Sequence, residues 1–92
     1  MGYNGQVIGP PPDYVIESEV DGDISLYDAK NERVIVLNPT ASDVWRLADG
    51  EMTVDQITAA LCKAYRADPH AIKPDVERLI DSLVEQKLLP TP

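Results

Sequence analysis

Candidate pairs of a reactive nucleophile and a base are scarce in this sequence. It holds one cysteine, Cys62, and one histidine, His70. Nucleophilic catalysis needs a nucleophile within hydrogen-bond reach of a base, and that base needs a third group to orient it. Cys62 and His70 fall on different predicted elements, with no glycine-rich elbow or phosphate loop near either. Cys62 reads as a half-buried small residue of a helix, and His70 as a solvated residue in a polar connection. One cysteine and one histidine fall short of the roughly four ligands that structural zinc takes. No metal, no other cofactor and no enzymatic activity are expected.

What remains is the chemistry of recognition, concentrated in two stretches. Arg33-Val34-Ile35-Val36-Leu37 is continuously apolar after its first residue, which predicts a strand with both faces covered. If it lies at a sheet edge, its backbone donors and acceptors are unpaired on one side, and an edge this apolar without gatekeeping charges invites aggregation unless another strand pairs with it. Strand addition takes affinity from main-chain pairing and selectivity from neighbouring pockets. The alternative is that a helix or the first strand covers the edge. The second stretch carries Asp75, Glu77, Asp81 and Glu85 on one predicted helix. These acids read either as its solvated face or, in part, as the border of a peptide groove that meets basic residues. Trp45 sits on an apolar stripe and reads as core.

The elements that must position these stretches follow from periodicity and turn chemistry. Residues Met1 to Asp13, with three glycines and Pro10-Pro11-Pro12, read as a flexible, extended arm rather than part of the domain at 14–92. Tyr14 to Val20 is a strand ended by Asp21-Gly22-Asp23. Ile24 to Ala29 is a second, with Ile24, Leu26 and then Asp28 on one face. Lys30-Asn31-Glu32 turns into the third strand, Arg33 to Leu37. Asn38-Pro39 is a helix start, and Ala41, Val44, Trp45 and Ala48 place the buried stripe of a helix over Pro39 to Ala48. Thr53-Val54-Asp55-Gln56 has the form of a capping box and opens a second helix to Arg66, with Val54, Ile57, Leu61 and Tyr65 buried. Pro74 removes a backbone donor, so the third helix is expected to be firm only from there, with Val76, Leu79, Ile80, Leu83 and Val84 as its apolar arc and Leu88-Leu89 closing the core. Three strands followed by three helices with short connections predict an α+β fold, a three-stranded antiparallel sheet on a helical cluster, of winged helix-turn-helix-like order.

Composition narrows the class further. A chain of 92 residues supports one domain. Its formal charge of -8 repels polyanions, so nucleic acid is a disfavoured partner. A lone cysteine forms no intrachain disulfide. No apolar run approaches the roughly 20 residues of a membrane span, and the basic-then-apolar pattern of a secretory signal is missing, which makes a cytoplasmic location and no membrane partner the expectation.

Residues 24–89 resemble the PqqD-like family, the recognition elements of pathways that modify ribosomally made peptides. The resemblance rests on Val36-Leu37-Asn38-Pro39-Thr40-Ala41 leading into Val44-Trp45, then Asp49-Gly50 with Thr53-Val54 and Ile57, then Tyr65, then Asp75-Val76 with Leu79, Leu83 and Leu88-Leu89. It implies that a precursor's leader peptide adds as an antiparallel strand to Arg33, Val34, Ile35, Val36 and Leu37 and lies against the third helix, where Asp75, Leu79, Ile80 and Val84 are the candidate contacts. It also implies a non-catalytic adaptor that hands the precursor to a leader peptidase, cyclase or radical enzyme, as in lasso peptide or pyrroloquinoline quinone pathways. The chain would be a monomer, or a weak dimer through the third strand. Two rivals are a structural subunit or severed domain of a modifying enzyme, and a DNA-binding winged helix. The second asks for a basic recognition helix, whereas Pro74 to Leu89 holds Arg78 and Lys87 against four acids.

Overall fold

The alternating pattern of the second strand shows how the chain folds. Ile24, Leu26 and Asp28 are fully buried, while the residues between them face outward. The computed structural model describes residues 3 and 5–92. It contains β1 (Val15–Val20), β2 (Asp23–Asp28) and β3 (Arg33–Val36), then α1 (Pro39–Leu47), α2 (Val54–Tyr65) and α3 (Pro69–Glu85). The strands form an antiparallel meander in the order β1-β2-β3, so β2 is central and β3 is an edge. The expected α+β architecture is therefore present.

Local chemistry sets most boundaries. Asn38 caps α1 by accepting from the Ala41 N–H at 2.8 Å, with Pro39 pre-organised at the first helical position. Thr53 and Gln56 make the reciprocal capping box of α2. One face of the sheet rests on the helices, and the core joins Ile24 and Leu26 to Val44, Trp45, Ile57, Leu61, Val76, Ile80, Leu83, Leu88 and Leu89. The buried Ser42 hydroxyl ties α1 to the sheet by accepting from the Ile24 N–H at 3.1 Å. Cys62 is buried rather than half-buried. Tyr65 departs from its expected place in the core: it is exposed at the end of α2, and its hydroxyl donates to Asp43.

Two larger expectations are corrected. First, α3 begins at Pro69 and runs through Pro74, because Asp68 caps it by accepting from the His70 N–H at 2.9 Å. His70 is thus an exposed residue of the first turn and not part of a connection. Pro74 costs one backbone bond, which Val76, Ile80 and Leu83, all buried beyond it, offset. Second, the arm is not free. Met1, Gly2 and Asn4 lie outside the described residues, but Ile8 is fully buried in the core. Its N–H donates to the Met52 carbonyl at 2.8 Å and its carbonyl accepts from the Gly50 N–H at 2.8 Å. The Tyr3 hydroxyl donates to Asp81, and burial together with that carboxylate pushes the phenol up to about 12. Among the described residues, no helix is long and apolar enough to cross a membrane.

Asp28 is the polar node of the sheet. Its buried carboxylate accepts from the Lys30 and Asn31 N–H groups at 3.0 and 3.1 Å, from Asn31 Nδ2 at 2.9 Å, and from Arg33 Nε and Nη2 at 3.2 and 2.8 Å. The Asn31 side chain, then Arg33, holds its pKa down from 3.8 to about 2. A carboxylate that ionises more readily when folded adds stability that is complete above its unfolded value and lost as pH falls through the folded one. The thermal midpoint is therefore expected to decline between pH ~4 and ~2. Asp28→Asn should flatten that segment of the profile, measured by circular dichroism melts across the acid range.

Candidate peptide-binding cleft

The open edge of β3 is defined at the level of single backbone groups. The Leu37 N–H donates to the Ile24 carbonyl at 2.8 Å. In an antiparallel ladder, successive residues point their N–H and C=O groups to opposite sides, so Arg33 and Ile35 share the orientation of Leu37. Val34 and Val36 then turn their backbone groups away from β2, to the open edge. Their side chains stand on the sheet face remote from the helices and are exposed, whereas Arg33 and Ile35 are half-buried and Leu37 packs in the core. The expectation that both faces of β3 are covered is thus corrected: one face is covered within the chain. The other sheet edge, β1, places Glu17 and Glu19 on the inward side, hydrogen-bonded to Trp45 and Arg46 at 2.6 and 2.7 Å. Charges of that kind guard an edge, and β3 has only Arg33.

Alongside β3 runs α3 in the opposite direction. Arg33 Nη2 donates to the Gln86 carbonyl at 2.7 Å, fastening the start of β3 to the end of α3. At the other end, Asn38, Thr40, Asp75, Arg78 and Leu79 line an open recess of about 360 Å³. Helical spacing places Asp75, Leu79, Ser82 and Gln86 on one flank, facing this strip. Asp75 pairs with Arg78, which leaves the mouth of the recess near neutral.

The site residues expected on α3 divide accordingly. Asp75 and Leu79 line the recess. Ile80 is corrected to core, since its side chain is fully buried. Val84 is corrected to the opposite flank, where it lines a different recess with Tyr14, Lys30 and Lys87. Of the remaining acids, Asp81 holds Tyr3 and Glu77 borders a small gap beside Tyr3 and Lys73, so both serve the docked arm. Asn38, Thr40, Arg78 and Gln86 were not expected at the strip. Arg78 was within reach of the sequence, being one helical turn from Asp75; Asn38 and Thr40 were absorbed by their helix-start pattern. Among the described residues, no cluster of three metal-ligating side chains occurs.

Comparison with known proteins places this architecture. Residues 23–89 match the family model of coenzyme PQQ synthesis protein D. A solved structure of TbiB1 in complex with the TbiA(beta) leader peptide superposes with a TM-score of 0.83 at 20% identity, covering 91% of this chain and 98% of that one. A lasso peptide synthetase B1 complexed with its leader peptide gives 0.77 at 23% identity, covering 89% and 96%. The PqqD truncation of Methylobacterium extorquens PqqCD, a stand-alone recognition element for ribosomally synthesized and post-translationally modified peptides, gives 0.73 at 28% identity, covering 88% and 86%. No curated protein matches. With the family model spanning the sheet from β2 and all three helices, this chain belongs to the coenzyme PQQ synthesis protein D (PqqD) family.

Proposed function

We propose that the domain is a non-catalytic adaptor that binds the leader of a ribosomally made precursor peptide and delivers it to a modifying enzyme or leader peptidase of a lasso peptide or pyrroloquinoline quinone type pathway. The observation that carries this reading is the open edge of β3, where the backbone groups of Val34 and Val36 face outward beside the recess at Asp75 and Leu79. A leader strand gains main-chain bonds from the two valines and side-chain contacts from the α3 flank. Two of the structural relatives hold leader peptides, which agrees with it.

Polarity follows from antiparallel pairing. The upstream part of the leader lies near Asn38 and Asp75, and its downstream end leaves past Arg33 and Gln86, so the core peptide emerges where the hairpin is fastened to α3. No bond need be made or broken here; holding the leader raises the local concentration of the core peptide beside the enzyme.

Titrating isotope-labelled protein with the leader half of a co-encoded small precursor tests this. Saturable amide shifts are expected at residues 33–37 and at Asp75, Leu79, Ser82 and Gln86, with none from a scrambled leader. Shifts confined to Tyr14, Val84 and Lys87 would move the site to the other flank of α3. A response to the enzyme alone would favour a structural subunit.

A further inference from the structure

The sheet carries a second apolar surface, on the face turned away from the helices. Tyr27 stands directly between Ile16 and Val34 in the strand register, so three apolar side chains form one row across β1, β2 and β3. Val36 lies two residues along β3, beside the neutral Ser25. Fractional exposures are 55% for Ile16, 39% for Tyr27, 67% for Val34 and 71% for Val36. With Val20, these make five of the seven large apolar side chains exposed among the described residues, the others being Val7 and Tyr65. Contiguous apolar area of this kind marks an interaction surface on a monomeric protein.

Charge decides between occupants. A second copy carries the same formal charge of -8 and is repelled. Asp23 is the one charged side chain on the face, with Asp21 next to it in the turn, while Lys30 and Glu32 offset each other at the far end. The complementary surface is therefore apolar with a basic rim.

Resting on the adaptor reading, we propose that this face docks the modifying enzyme or peptidase through such a surface, and that a bound leader completes it. A leader paired with β3 alternates its side chains, so its residues opposite Val34 and Val36 stand on the same face and widen it by a fourth strand. The enzyme then binds the loaded adaptor more tightly than the empty one, and by linkage tightens leader binding by the same factor.

The test is the double variant Ile16→Thr/Tyr27→Thr, which keeps strand-favouring residues and leaves the β3 edge untouched. Calorimetry would use the leader peptide and the enzyme encoded beside this chain, each alone and together. Leader affinity is expected within about 2-fold of the original, and enzyme affinity at least about 10-fold weaker. Equal enzyme affinity for both proteins overturns the docking face, and leader binding then leaves the adaptor reading standing. An original chain that binds no leader overturns both. Sedimentation showing a dimer that the double variant splits would make the face a contact between copies, and the proposal fails. An amide spectrum checks the fold, and if the double variant unfolds, Ile16→Thr alone, on β1 and away from the leader edge, carries the same expectations.

Discussion

Val36→Pro is expected to weaken leader binding at least about 10-fold while leaving the domain folded. Proline removes one N–H and fixes φ near the extended range, and it is tolerated at an edge only where the lost donor faces outward. Alternation from the Leu37–Ile24 bond places the Val36 N–H on that outward side, so pairing with β2 is spared. Its side chain is exposed, and no core contact is lost. A leader strand, by contrast, loses a main-chain partner and meets the proline ring. Ile35→Pro is the control with the opposite signature, because its N–H faces β2 and its loss should destabilise the sheet itself. Fluorescence anisotropy of a labelled leader and thermal melts of each variant read the two effects separately. Unchanged leader affinity in a folded Val36→Pro protein would rule out strand addition at β3.

The second large effect concerns stability. Ile8→Ala is expected to cost about 2–5 kcal/mol, the range for truncating a buried isoleucine. A domain of this size has a total stability on the order of 5–14 kcal/mol, so the loss would be a large part of it. Ile8 is fully buried, and its backbone bonds to Gly50 and Met52 hold the segment across the connection between α1 and α2. Gly9 beside it has φ +84°, and a Cβ there would come within 2.1 Å of the Ala48 carbonyl oxygen. Gly9→Ala should therefore dislodge the same segment. Urea unfolding of Ile8→Ala is the check, and a loss below about 0.5 kcal/mol, the size of a typical surface substitution, would mean the segment is free in solution.

The contrast between Ile8 and the rest of the core marks the division between what the chain spells out and what it leaves to assembly. Strand and helix identity were legible because alternation in Ile24-Ser25-Leu26 and helical spacing in Val76-Ile80-Leu83 are periodic, and periodicity reports which face is buried. The caps at Asn38 and Thr53 were legible because capping needs only residues three or four apart. The meander followed from short turns, but the free edge of β3 did not, since the same letters allow a helix or the first strand to cover it; the strand order β1-β2-β3 leaves it open. Ile8 carries no such signal: one apolar residue among glycines and prolines has no period, and only a groove made by Gly50 and Met52 gives it a place. Pro74 misled for the converse reason, since its local penalty is outweighed by burial that the sequence does not display. The α3 flank was likewise undetermined, because Leu79, Ile80 and Val84 are equally apolar as letters. The fastening of Arg33 to Gln86 fixes which side of the helix faces β3, turning Leu79 to the cleft, Ile80 to the core and Val84 away. The sequence by itself determined the elements and an apolar third strand, leaving open whether its edge is free or covered. Tertiary structure decided which side chains surround that edge, because helix rotation is set by contacts between residues far apart in the chain.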